Sequence, residues 1–342
     1  MSAKVALQRA LKDPAPLAES LEALAAKALQ TAELRVAANA LEEAGALWLA
    51  LGRMDRAGAS LLLAASSCRL AGDAQGARRA LERGLAADIP ERLRDGFATE
   101  ECEQALAQGQ GERALECFTR LLARLSGGVE PMVEAQLLER RAAAALASKD
   151  PPKAAVDLLR AATLYSAGGA LADGEAAALG AAAVLAEVDT DAAERVVSQI
   201  FTTPPIDGGA AARRGLVAGR VALRAGKPAL ALERLDGARQ GALDCRDPIS
   251  YLAAAVEGSQ AAEVCGLCAV AYARLATAWG TLSDLVGHDA TGELLRPALT
   301  ALRERLGAAA FAEAKATYEA ERQRFVQDTG QLGPETNNAG RQ

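Results

Sequence analysis

The chain has 342 residues, of which 51% are apolar but only 3% aromatic, and a formal net charge of −6 at pH 7. This length exceeds the size at which a single compact core usually stops growing, so two domains or one elongated repeat array are expected. Acidic and basic residues are interspersed without a basic stripe, which argues against nucleic acid as a partner.

Alanine supplies much of the apolar fraction, as the run from Ala142 to Ala147 illustrates. Because alanine is the strongest helix former and β-branched residues are sparse, the composition predicts an all-α protein. A core of alanine and leucine with few rings requires closely approached helices rather than a thick central core.

Targeting signals are not evident in the sequence. The first residues lack a signal-peptide apolar segment, and no run of about 20 apolar residues predicts membrane insertion. The six cysteines are scattered, which fits a reducing compartment better than a disulfide scaffold. Together these features predict a cytoplasmic protein.

The stretch from Ala38 to Ala71 has the pattern of a helical hairpin with a turn at Gly52. On each side of the turn, apolar residues recur at three- and four-residue steps, which places them on one face of a helix. The first helix contributes Leu41, Ala44, Gly45 and Trp48, and the second contributes Ala57, Leu61 and Ala64. Upstream, residues 1–12 predict a short helix that Pro14 and Pro16 end, followed by a helix from Leu17 into the thirties.

A turn signature, in which alanine follows a turn position by five residues, recurs along the chain. It occurs at Gly52 and Ala57, Gly72 and Ala77, Gly109 and Ala114, Asp150 and Ala155, Val188 and Ala193, and Gly226 and Ala231. The last four intervals are 37, 41, 38 and 38 residues, the two-helix period of a solenoid. The short first interval predicts that the helix from Arg56 to Leu70 is shared between two hairpins.

This pattern resembles the tetratricopeptide repeat (TPR) family over roughly residues 36–240. Leu41, Ala44, Gly45 and Trp48 match the first-helix motif, with leucine in place of tryptophan and tryptophan in place of tyrosine, while Ala57, Leu61 and Ala64 match the second. The resemblance implies an α-solenoid of stacked helical hairpins, a TPR-like superhelix, whose grooves bind proteins. We therefore expect capping helices over 1–35, repeats over 36–240, a helical cap over 241–328 and a disordered tail over 329–342.

The segment from Ala271 to Ala314 resembles the tail of the helical-repeat regions in bacterial signal-transduction ATPases. In those proteins it ends an array that senses a ligand or a partner. Around it, the sequence predicts a helix from Pro248 to Val286, with or without a break at Gly258, and a turn at Gly287 to Asp289 before further helices.

Catalytic motifs are absent from the sequence, which predicts no enzyme activity, no cofactor and no metal. His288 is the only histidine, and neither a phosphate-binding nor a dinucleotide-binding glycine loop occurs. Cys265 and Cys268 form a C-x-x-C pair that could be redox-active or supply half of a zinc site. Their alanine-rich surroundings favour cysteines buried between helices.

Charged residues on first helices are the candidate partner-binding residues, because first helices line the concave wall of such a solenoid. They are Glu42, Glu103, Arg140, Arg213, Arg220 and Arg224. The alternative interpretation is a solvated face with local ion pairs. The favoured function is a non-enzymatic scaffold or adaptor that binds a protein or peptide; the alternative is a ligand- or peptide-sensing regulatory module. The sequence is compatible with a homo-oligomer.

Overall fold

The computed structural model describes Val5 and residues 13–125 and 128–329, with side chains up to residue 325. Within these residues there are sixteen α-helices and no strand, which confirms the all-α prediction. The predicted amino-terminal helix lies, apart from Val5, outside the described residues, and so does the predicted disordered tail apart from Thr329, which ends the last helix.

The helices form two compact units, Met1–Gly169 and Ala170–Gln342. The helices of the first unit are α1 (Pro14–Gln30), α2 (Leu34–Ala50), α3 (Met54–Leu70), α4 (Ala74–Ala86), α5 (Glu91–Ala107), α6 (Gly111–Leu125), α7 (Pro131–Ala147) and α8 (Pro151–Ala167). Those of the second are α9 (Leu171–Leu185), α10 (Thr190–Ile200), α11 (Gly208–Arg224), α12 (Pro228–Asp244), α13 (Pro248–Val264), α14 (Cys268–Val286), α15 (His288–Leu306) and α16 (Ala308–Thr329).

Within each unit, consecutive helices pack against each other, and several helices also pack against the second helix after them. In the first unit α3 contacts α5 and α5 contacts α7; in the second, α9 contacts α11 and α11 contacts α13. We call α3, α5 and α7 the first-helix row of unit 1, and α9, α11 and α13 the first-helix row of unit 2. These stacked hairpins confirm the α-solenoid class. Because α3 contacts α2, α4 and α5, the prediction of a shared helix is also confirmed.

Left-handed backbone conformations end many of the helices. Gly52 and Gly226, both predicted turn positions, have φ angles of 69°, where glycine carries no steric penalty. Lys149 takes the same position with a φ of 62°, one residue before the predicted turn residue Asp150. Asp150 instead caps α8, because its side chain accepts a hydrogen bond from the amide of Lys153. A three-residue connection of this kind brings successive helices into antiparallel contact.

Glycines let neighbouring helices approach to backbone contact. A Cβ atom added to Gly241 on α12 would lie 2.6 Å from the carbonyl oxygen of Gly208 on α11, and one added to Gly215 would lie 2.6 Å from that of Arg234. In unit 1, a Cβ at Gly45 would lie 2.7 Å from Cγ of Leu61. The expectation of closely approached helices is therefore confirmed.

The helix expected from Pro248 to Val286, with or without a break at Gly258, is two helices, and the break does not fall at Gly258. The chain turns at Gly266, which has a φ of 73° and separates α13 from α14. Gly258 lies inside α13, where the guanidinium of Arg274 packs over it at 2.8 Å from a hypothetical Cβ. Gly258 therefore makes room for the side chain of Arg274 and does not form a turn. The helix α15 also begins at His288, within the predicted Gly287 to Asp289 turn.

A disulfide bond joins the two helices of one hairpin. Cys102 on α5 and Cys117 on α6 are paired with a Cα–Cα distance of 5.4 Å, within the usual disulfide range. Cys102 is fully buried, and the bond closes a loop with a sequence separation of 15 residues. Scattered cysteine spacing does not reveal such a pair, because the two residues meet only when α5 packs on α6.

Two glycines on α12 give a matched test of the close approach. Gly241→Ala should lower the free energy of unfolding of unit 2 by about 1–3 kcal/mol, because the new methyl group overlaps the backbone of α11. Gly237→Ala should raise it by about 0.5–1 kcal/mol, because a Cβ there meets nothing within 4 Å and alanine favours the helix. Urea unfolding followed by circular dichroism measures both; equal effects would contradict the packing described.

The disulfide predicts that reduction destabilises unit 1. Breaking a bond that closes a loop of this length should cost about 3 kcal/mol, so dithiothreitol should lower the melting temperature of the first unit. The control variant Cys245→Ser removes an exposed free thiol and should leave the melting temperature unchanged. Detection of six free thiols in the denatured, unreduced protein would contradict the pairing.

Candidate functional site

The three predicted arginines of unit 2 lie on α11, and two of them form ion pairs within the chain. Arg220 binds Glu257 of α13 through Nη2 at 2.6 Å and Nε at 2.9 Å. Arg224 pairs with Glu187, which follows α9, at 2.7 Å. Arg213 is exposed, and no carboxylate of the described residues pairs with it.

The predicted residues of unit 1 are also engaged within the chain. Arg140 on α7 lies 3.2 Å from Glu103 on α5, and Glu103 lies 3.9 Å from Arg69 on α3. Glu42 pairs with Arg83 at 2.9 Å. Glu42 lies on α2, the first helix of the opening hairpin, which is not part of the first-helix row of unit 1, whereas Glu103 and Arg140 lie on that row.

Several of these pairs join residues one repeat apart in the sequence. Separations of 37 residues occur in the pairs Arg56 with Glu19, Arg92 with Asp55, and Arg220 with Glu257. Each pair links a helix to the second helix after it, so the ion pairs join hairpin to hairpin. Opposite charges at the repeat spacing are the sequence signal that would have revealed these partners.

Solvent exposure divides the ion pairs into two classes. The side chains of Arg140, Arg220 and Arg224 are 61%, 53% and 59% exposed. Such pairs contribute about 0–1 kcal/mol, so exchanging the intramolecular carboxylate for one on a partner costs little. The hydrogen bonds to Glu257 nevertheless raise the pKa of Arg220, so it stays cationic throughout the physiological range.

Buried ion pairs hold neighbouring helices together. Arg141 and Asp157 clamp α7 to α8 through two hydrogen bonds of 2.6 and 2.8 Å. In unit 2, Arg214 on α11 is only 4% exposed and binds both carboxylate oxygens of Glu175 on α9 at 2.6 Å. Arg214 also donates to the carbonyl oxygen of Thr203, and its hydrogen bonds to Glu175 raise its pKa. The Arg214–Glu175 pair thus connects α11 to α9, and Arg214 also binds the connection between α10 and α11.

A cleft of about 380 Å³ lies where that connection meets α11 and α12. Its wall is formed by the segment from Phe201 to Pro205, and the guanidinium of Arg234 stacks over the Phe201 ring at 4.1 Å. The repeat pattern did not reveal this cleft, because the connection contains residues that fall outside the repeat. The Pro204–Pro205 pair was its visible sequence signal.

The cysteine pair and the histidine lie at helix ends. Cys265 and Cys268 are half-buried on either side of the Gly266 turn, so the prediction of two buried cysteines inside a helical run is wrong. His288 is exposed, with Nδ1 3.3 Å from the hydroxyl of Ser283.

In the part of the chain that the structure describes, no three His, Cys, Asp or Glu side chains converge as a metal site. Nor does any helix there have the length and apolar character needed to cross a membrane.

Removing one member of a buried pair should cost far more than removing one of an exposed pair. Glu175→Ala should lower the free energy of unfolding of unit 2 by about 3–5 kcal/mol, because Arg214 is left buried without a counter-ion. Glu187→Ala removes the exposed partner of Arg224 and should cost less than about 1 kcal/mol. Chemical unfolding measures both, and similar costs would contradict the division by exposure.

Comparisons with known proteins find likenesses among solved structures. No family model matches the chain, and no curated protein matches its sequence. Among solved structures, the TPR domain of P58(IPK) is similar over 92% of this chain and 99% of that domain, with 13% sequence identity and a TM-score of 0.25. The α-solenoid assignment rests on the helices and packing described above.

Proposed function

We propose that this chain is a non-enzymatic scaffold or adaptor that binds an acidic segment of a partner protein on the first-helix row of unit 2. The observation that carries the proposal is the arginine face of α11. Arg213, Arg220 and Arg224 follow one another at spacings of seven and four residues, which places them along one face of the helix.

Charge and exposure favour an acidic partner. Arg213 has no carboxylate partner among the described residues, and Arg220 and Arg224 hold theirs in exposed pairs. Guanidinium groups bind carboxylates through two parallel hydrogen bonds, so a row of them recognises glutamate or aspartate side chains at matching intervals. A peptide in a solenoid groove presents side chains in that way.

In unit 1, Arg140 is proposed as a further contact, and Glu103 and Glu42 as acidic contacts for a basic residue of a partner. The side chains of Glu103 and Glu42 are only 14% and 18% exposed, less than those of the arginines. Partner binding at these two positions therefore requires exchange of a half-buried ion pair. The arginines of α11 are the principal contacts.

A ligand-sensing regulatory module is the second candidate function, and the cleft beside α11 is the observation that favours it. The likeness of the segment from Ala271 to Ala314 to sensor arrays supports the same function. Both candidate functions are binding functions.

Charge reversal tests the scaffold function. The triple variant Arg213→Glu, Arg220→Glu, Arg224→Glu should reduce binding to an array of acidic peptides by more than tenfold, because attraction becomes repulsion. Binding is measured by fluorescence anisotropy with the tightest peptide of the array. Raising the salt concentration should weaken wild-type binding as well.

Two controls separate binding from folding. Reversal of Arg195 and Arg246, which are exposed and lie outside α11, should leave peptide affinity within about twofold of wild type. Circular dichroism must show unchanged helicity in every variant. Acidic peptides that bind the triple variant as tightly as wild type would refute the α11 assignment.

A further inference from the structure

The cleft beside Phe201 lies where unit 2 departs from its repeat. Most helices of the described residues are joined by three-residue connections, but α10 ends at Ile200 and α11 begins only at Gly208. The intervening segment carries Pro204 and Pro205, which fix its backbone without internal hydrogen bonds. Arg214 anchors the segment by donating to the Thr203 carbonyl oxygen at 2.6 Å.

The wall is therefore held by a buried charge pair rather than by loose loop contacts. Arg214 is bound to Glu175 at the same time as to Thr203, so the wall is fixed to two helices of unit 2. A preformed wall lowers the entropic cost of binding a ligand.

Arg234 gives the cleft a positive charge without a carboxylate partner in the described residues. Its guanidinium lies 4.1 Å from the centroid of Phe201 and is half-buried, whereas Arg213, which is also without an ion pair, is exposed. Stacking on a ring orients a guanidinium but leaves its charge and its in-plane N–H donors available. An anion that entered the cleft would meet this cation in a partly desolvated place.

The floor of the cleft is formed by residues with little or no side chain and is open at Gly237. Ala211 and Gly215 from α11 and Gly237 from α12 line it, and a Cβ added to Gly237 would meet nothing within 4 Å. The volume of about 380 Å³ falls at the lower end of the range for small-molecule sites.

Glu233 restricts the charge that the cleft accepts. It lines the same cleft, next to Arg234 in the sequence, and it is exposed. A ligand with one negative charge can pair with Arg234, whereas a second negative charge would be repelled by Glu233.

We propose that this cleft is a binding site for a small organic monocarboxylate with an apolar, planar body. The carboxylate pairs with Arg234, while the body packs against Phe201 and the two prolines and lies over Gly237. The site is separate from the arginine face of α11, since none of Arg213, Arg220 and Arg224 lines it. Loss of peptide binding and loss of carboxylate binding are thus independent outcomes.

Benzoate is the probe for the test, with benzamide as its neutral match and phthalate as its dianionic match. Isothermal titration calorimetry and saturation-transfer NMR on the full chain should detect benzoate with a dissociation constant of about 1 mM or tighter. Benzamide should bind at least about tenfold more weakly, because it lacks the charge that pairs with Arg234. Phthalate should also bind more weakly than benzoate.

Two variants act on the cleft by different means. Arg234→Gln removes the cation and should weaken benzoate binding by about tenfold or more. Gly237→Leu fills the open floor and should abolish binding while preserving the fold, because leucine is a better helix former than glycine. Arg195→Gln, at an exposed arginine that does not line the cleft, is the control and should leave benzoate binding unchanged.

Several results would overturn the proposal. These are the absence of benzoate binding up to about 10 mM, equal binding of benzoate and benzamide, or benzoate binding that survives both Arg234→Gln and Gly237→Leu. Binding of acidic peptides in the cleft without binding of any small carboxylate would assign the site to a protein partner and would also refute it.

Discussion

Helix backbones in this protein come so close together that several crossing points accept only glycine. Between α11 and α12, Gly215 and Gly241 place backbone against backbone, with no room for a methyl group. Close packing of this kind lets alanine and glycine, which bury little area each, still exclude water and gain dispersion contacts. With few aromatic residues available, the stacked hairpins depend on this proximity throughout both units.

Because the core between the helices is thin, ion pairs between charged side chains also connect one hairpin to the next. Pairs such as Arg220 with Glu257 span one repeat, and the buried pair of Arg214 with Glu175 binds α9, α11 and the α10–α11 connection together. Not every arginine is used in such a pair. Arg213 and Arg234 have no carboxylate partner in the described part of the chain, and each marks a surface proposed to bind an anion.

Much of the architecture could be predicted because helix signals are local. Gly52 and Gly226 were identified as turns from the apolar spacing on either side, and both adopt left-handed conformations there. Gly258 shows where local reasoning fails. A glycine inside a helical pattern signals a break or a close contact, and only the position of Arg274 above it decides for the contact.

The sequence by itself determined the helical class, the two-helix period and the candidate arginines of α11, since these depend on residues three, four or about 38 positions apart. Only the tertiary structure decided which carboxylates Arg220 and Arg224 meet, that Cys102 pairs with Cys117, and that an open cleft lies beside Phe201. The physical reason is distance along the chain. Contacts within a helix follow from its fixed geometry, whereas contacts between helices depend on how far each hairpin is rotated and shifted against the next.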